Sequence, residues 1–333
     1  LEAWAGMQLQ HPNVIRTHKL GSTGAVTFMV MDLVRAISLH EMVALGGVVR
    51  SAMACDIFRQ AALGLQAAHD KNIIHRDIKP SNVLVTVPDE EPVAKIIDFG
   101  VARATNQRLT EKTLYTEVGR AVGTPAYMSP EQAEMGPAGI DTRTDVYALG
   151  VLLYELLCGL LPFDSETLRG GGYTEMRWLI CEADPPKPSL RLREFTGGNK
   201  TSESFGLSAH SLERKLSGDL DWITMKAIDK DRGQRYQSAG ELAEDIQRYL
   251  VHDPVLAGPP TLGYKLKKFM RKHRTGILSL AALVLISTVI AALTWQAGIR
   301  ETRQQRIQRS SSRLEQAKKN QEKKKDPKLT AEP

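Results

Sequence analysis

In His75-Arg76-Asp77-Ile78-Lys79-Pro80-Ser81-Asn82 an aspartate and an asparagine stand five residues apart, and a second acid, Asp98, follows Asn82 by sixteen. These residue types suit one kind of chemistry. A carboxylate such as Asp77 can orient a hydroxyl and receive its proton. Asn82 and Asp98 supply the hard oxygen donors that Mg²⁺ prefers, and Lys79 adds a positive charge beside them. Moving a phosphoryl group from a nucleotide to a hydroxyl needs such a set, because that reaction depends on positioning and electrostatics more than on covalent help.

Positioning requires rigid elements around the loop. A short apolar strand, VLV, follows Asn82, and KIID runs into Asp98. Upstream, GAVTFMVMDL (24–33) has strand character, and SAMACDIFRQAALGLQAAHDKN (51–72) has helical spacing with Ser51 as a candidate N-cap. DTRTDVYALGVLLYELLCGL (141–160) is apolar on most faces and is expected to be a buried helix. Two more helices are expected over 219–231 and 238–252, and the polar stretch 191–215 reads as an insertion between helices. A few strands followed by mostly helices predicts an α+β fold.

The chain has 333 residues, 42% hydrophobic and 25% charged, enough for a large core. Cys55, Cys158 and Cys181 lack CxxC or Cys/His spacing, which favours buried free thiols over a disulfide or metal framework. The net charge of +6 is unevenly distributed: Lys265 to Pro333 holds 17 Lys and Arg against 5 Asp and Glu, so the rest is mildly acidic and does not suggest a nucleic-acid partner. Residues 276–297, GILSLAALVLISTVIAALTWQA, carry no charge, and as a helix they extend about 33 Å, the thickness of a bilayer core. Four segments are expected: a catalytic domain over 1–252, a basic linker over 253–275, a membrane span over 276–297 and a charged tail over 298–333, helical or disordered. Six Lys and Arg before the span against four after it give only a slight preference for the N-terminal side in the cytoplasm.

The segment from His75 to Asn82 resembles the catalytic loop of protein kinases, HRDxxxxN, and Asp98-Phe99-Gly100 resembles their DFG motif. The resemblance implies a kinase-like fold, Asp77 as catalytic base, Asn82 and Asp98 as Mg²⁺ ligands, ATP as phosphate donor and Lys79 near the transferred phosphate. Lys79 together with GTPAYMSPE (123–131) is similar to the serine/threonine branch, with Thr124 positioning a Ser or Thr acceptor of a protein substrate. It further implies that Glu131 pairs with Arg235 and that Asp145 holds the backbone of the loop around His75. Arg76 implies control by phosphorylation of the segment 101–122, with Thr113 and Thr116 as candidate acceptors. Met31 would be the gatekeeper, with backbone groups of Asp32 and Val34 at the adenine edge.

LQHPNVIRTHKLG resembles the connection after the family's αC helix, which puts Glu2 at that helix's glutamate. Its lysine partner and the Gly-rich loop would precede Leu1, so the chain as given is expected to be an impaired, N-terminally incomplete kinase domain. The sequence after Gly218 looks most like membrane-anchored bacterial kinases, especially those of planctomycetes, with ATP placing the domain in the cytoplasm. Self-association would allow one copy to phosphorylate another, although the span has no GxxxG seam. A membrane-tethered pseudokinase acting as a scaffold, and a small-molecule phosphotransferase, stay open as alternatives.

Overall fold

The computed structural model describes residues 7–24, 26–46, 51–88, 91–99, 125–134, 139–196 and 209–325. The chain divides into two compact units, Leu1–Phe269 and Met270–Pro333.

In the first unit, β1 (Thr17–Thr23) and β2 (Val26–Met31) form an antiparallel ribbon. The strand expected over 24–33 is β2, flanked by a turn and a linker. Alternation puts Val26, Phe28 and Val30 on one face, and they are 65%, 46% and 43% exposed. A second sheet runs in the order β3 (Ile37–Ser38), β4 (Val83–Thr86), β5 (Val93–Ile96), all antiparallel. Val14 bridges Ile96 in parallel, so the chain leading into β1 is tied to β5.

Helices make up most of the remainder. They are α1 (Leu39–Gly46), α2 (Ser51–His69), α3 (Pro130–Ala133), α4 (Thr142–Cys158), α5 (Ser165–Gly170), α6 (Gly172–Cys181), α7 (Pro188–Thr196), α8 (Ala209–Leu216), α9 (Asp219–Ala227), α10 (Ala239–Leu250) and α11 (Leu262–Lys272). Strands near the start followed by packed helices give the α+β architecture expected.

The core is built on α4, where fourteen of seventeen residues are buried, as an all-round apolar helix must be. Asp141 caps its start by accepting from the Arg143 amide at 2.8 Å, and Gly159 ends it in the left-handed region at φ 70°. Gly150 lets α9 approach closely: a Cβ there would lie 2.6 Å from Ile228 and 2.7 Å from Ala227. Ile57, Phe58, Ala61 and Leu65 bury one face of α2 in the same core.

The polar stretch 191–215 is helical at both ends, within α7 and α8. Leu192 and Leu212 within it, and Leu216 just beyond it, point into the main core. Asp221 fixes the start of α7 by accepting from the Ser189 amide at 3.0 Å and hydroxyl at 2.6 Å.

The second unit is dominated by α12 (Arg274–Lys325), a helix of 52 residues and about 78 Å. Its apolar part has a mean hydropathy of 2.5, is not buried by protein, and is long and apolar enough to cross a membrane. The tail expected to be short helix or disordered continues as helix to Lys325.

Candidate active site

The loop around Asp77 is held from below by one carboxylate. Asp145, in the first turn of α4, is fully buried, and each oxygen accepts a backbone hydrogen bond: Oδ2 from the His75 amide at 2.8 Å and Oδ1 from the Arg76 amide at 2.7 Å. His69, the last residue of α2, adds Nε2 at 2.8 Å from Oδ2. Gln132 of α3 donates to the Arg76 carbonyl at 3.0 Å, so both backbone polar groups of Arg76 are engaged while its φ is 67°. A left-handed arginine costs energy and persists only where its surroundings determine it.

His75 is buried and ties the two halves of the site together. Its Nε2 donates to the Ile97 carbonyl at 3.0 Å, its Nδ1 accepts from the Asp77 amide at 3.3 Å, and its ring lies 4.9 Å from that of Phe99. The Asn82 carbonyl accepts from the Ile97 amide at 3.0 Å. Asp98 follows in the left-handed region at φ 58° with its side chain exposed.

Asp77, Lys79 and Asn82 meet directly. Lys79 Nζ is 2.7 Å from Asp77 Oδ2, and Asn82 Nδ2 donates to the Asp77 carbonyl at 2.8 Å and to Oδ2 at 3.3 Å. This orientation commits the amide nitrogen of Asn82 to Asp77 and turns its Oδ1 elsewhere, with Ser81 Oγ at 3.4 Å. An amide oxygen on buried backbone and an exposed carboxylate one residue beyond Ile97 are the donor types a divalent cation of the Mg²⁺ class takes.

Arg235 and Glu131 form a buried, two-pronged pair at 2.8 and 2.9 Å. Arg235 also donates to the carbonyls of Asp229, Arg143 and Lys230, and Thr144 Oγ1 donates to Glu131 Oε1 at 2.9 Å. Burial alone would raise the Glu131 carboxyl, but the bonds and charge of Arg235 outweigh it and hold the group below the usual carboxylate range. Nearby, burial pushes the Lys230 ammonium down to about 8, while it donates to the Ile180 carbonyl at 2.7 Å near the end of α6.

Met31 is half-buried at the end of β2. The Asp32 amide donates to the Arg16 carbonyl at 3.0 Å, and the Asp32 carboxylate takes His18 Nε2 at 2.7 Å. Val34 is half-buried in the linker that follows. Glu2, Gly100, Thr113, Thr116 and Thr124 lie outside the described residues. His69, Gln132 and Thr144 were not anticipated from sequence. For Gln132 and Thr144 a polar residue next to Glu131 and Asp145 is a signal that could have pointed to them; His69, six residues before His75, gives none.

Residues 2–208 match the family model described as protein kinase domain. The chain belongs to that family. It is 32% identical over 251 residues to serine/threonine-protein kinase PknB of Mycobacterium leprae, covering 74% of this chain and 35% of the relative. It is 34% identical over 257 residues to serine/threonine-protein kinase pkn2 of Myxococcus xanthus, covering 77% and 27%. The chain thus spans about a third of the length of the curated relatives it matches. Among solved structures, a double mutant of the Mycobacterium tuberculosis PknI kinase domain superimposes with a TM-score of 0.52 at 22% identity, covering 75% of this chain and 76% of that one, a likeness of fold.

Proposed function

We propose that this chain is the catalytic part of a bacterial serine/threonine protein kinase that transfers the γ-phosphate of ATP to Ser or Thr hydroxyls of proteins. The observation that carries the reading is the convergence of Lys79 and Asn82 on Asp77, on a loop suspended from Asp145. Asp77 would orient the acceptor hydroxyl and take its proton, with the positive charge of Lys79 at the same carboxylate. Asn82 and Asp98 would hold Mg²⁺, which screens the phosphate charge when bound. Met31, Asp32 and Val34 would line the adenine side, and Thr124 would help position the acceptor. Arg76 would balance a phosphate on Thr113 or Thr116. Glu2 would pair with a lysine on a further strand. The exposed Val26, Phe28 and Val30 support that part of the reading, because added strands would cover them.

The reading extends to membrane anchoring through the apolar part of α12, with the kinase domain in the cytoplasm, where ATP is. The test is phosphate transfer from Mg-ATP to Ser/Thr peptides by the full gene product. Asp77→Asn is expected to lower the rate roughly 10²–10⁴-fold, and Asp98→Asn to abolish transfer by weakening the hold on the divalent ion. Substantial transfer in either variant would remove these roles.

A further inference from the structure

The segment between the kinase fold and the apolar span is a helix with two opposed faces. On one side of α11, Tyr264 and Lys268, four apart, are fastened to the domain. Tyr264 donates to Asp219 Oδ1 at 2.9 Å and accepts from the Val255 amide at 3.0 Å, and its ring meets Trp222 edge-on at 5.4 Å. Lys268 pairs with Asp219 Oδ2 and is only 7% exposed. Asp219 is thus occupied by both residues, which fixes the rotation of α11 about its own axis.

That rotation points the other side outward. Leu262, Leu266 and Phe269 recur at the spacing of one helical stripe and are 85%, 60% and 56% exposed. Lys265 and Lys267 flank the stripe on either side, and both are exposed. A row of large apolar side chains between lysines is poorly suited to water, and in chain order it precedes the bilayer-length segment that starts at Gly276.

We infer that α11 is an interfacial helix: its Leu262, Leu266 and Phe269 stripe inserts at the acyl boundary of an anionic bilayer, Lys265 and Lys267 meet the headgroups, and Tyr264 and Lys268 clamp the kinase domain to it. The inference rests on the membrane-anchored reading of α12. It goes further by giving the domain a built contact with the lipid surface, so that the domain does not hang from a free linker. Charge complementarity decides the occupant: an apolar face bordered by cations fits an anionic lipid surface better than a neutral one.

The test uses the full chain, with Cys181→Ser to remove the one thiol that is not fully buried. It is reconstituted in vesicles of phosphatidylcholine with or without phosphatidylglycerol. An environment-sensitive fluorophore is attached in turn at Leu266→Cys, at the exposed α2 position Met53→Cys and at Leu285→Cys within the span. Nitroxide lipids quench at shallow or deep positions. The expected result is shallow-nitroxide quenching at position 266 several-fold stronger than at 53, reduced when phosphatidylglycerol is omitted, with deep quenching at 285. If 285 is quenched and 266 behaves like 53, the interfacial helix is refuted while the span stands. If neither is quenched, the membrane-anchored reading fails and takes this inference with it. Equal quenching at 266 in both lipid mixtures would overturn the choice of an anionic surface.

Discussion

Replacing Asp145 by asparagine should damage the loop in proportion to the hydrogen bonds its carboxylate accepts. Oδ2 serves the His75 amide and His69 Nε2, and Oδ1 serves the Arg76 amide. An asparagine has one acceptor oxygen. Placed at Oδ2 it keeps two of the three bonds and turns an NH₂ toward the Arg76 amide; placed at Oδ1 it keeps one and opposes two donors. At least one hydrogen bond to a charged group is lost, worth about 1.5–3 kcal/mol, and a buried donor is stranded at a cost of about 1–3 kcal/mol more. The total, about 2.5–6 kcal/mol, is a large part of the stability of an ordinary domain. The assay is thermal unfolding of the detergent-solubilised chain combined with amide hydrogen exchange read at His75 and Arg76. Protection at these amides should fall by about tenfold for each 1.4 kcal/mol lost. Unchanged melting together with unchanged protection would show that Asp145 does not suspend the loop.

Four further outcomes follow from the buried charges and thiols. Arg235→Leu strands Glu131 and should cost about 3–5 kcal/mol in equilibrium unfolding, and a loss below about 1 kcal/mol would mean the pair is not buried as described. The same pair gives an acid limit. The folded Glu131 carboxyl titrates below its ordinary 4.5, so its contribution is present above that pH and lost as pH falls through the folded value. Lys230 behaves oppositely: folded it titrates at about 8, against 10.5 unfolded. Between those values the unfolded chain binds the extra proton, so stability should rise with pH. Wild type minus Lys230→Met in unfolding titrations isolates this slope, and a flat difference would refute the burial. Burial also pushes the Cys55 and Cys158 thiols up to about 12, so iodoacetamide on the native chain should reach Cys181 alone; more than one label per chain would contradict the core packing.

The loop from His75 to Asn82 was legible because the chemistry proposed for it demands particular residue types a few positions apart, and such patterns survive without structural context. Glu131 with Arg235 and Asp145 beneath the loop were read through the family resemblance, and the structure brings both sets together. His69 was not legible: it reaches Asp145 across 76 residues of chain, and nothing in local periodicity announces a tertiary contact of that kind. The stretch 191–215 misled for a different reason. Its composition is polar, but Leu212 and Leu216 sit four apart on α8, and one apolar residue per turn was enough to enter a core that other helices had largely built. For the tail the helical alternative is the one found: α12 needs no core to continue as helix to Lys325.

Two non-glycine residues of the site, Arg76 and Asp98, are left-handed, and they stand on either side of His75 in the bonding network. Arg76 is fixed through its own amide and carbonyl by Asp145 and Gln132. Asp98 is fixed through Ile97, whose amide is held by Asn82 and whose carbonyl is held by His75. Both conformations are held through the backbone. Each is imposed by groups on α3 and α4, or by the facing loop, whose positions the core determines. The strain is therefore located beside Asp77 and at Asp98, and it is sustained by bonds from Asp145, Gln132 and His75 and by the Asn82 backbone carbonyl. That arrangement lets a long apolar helix, α4, set the geometry of a polar loop through one carboxylate.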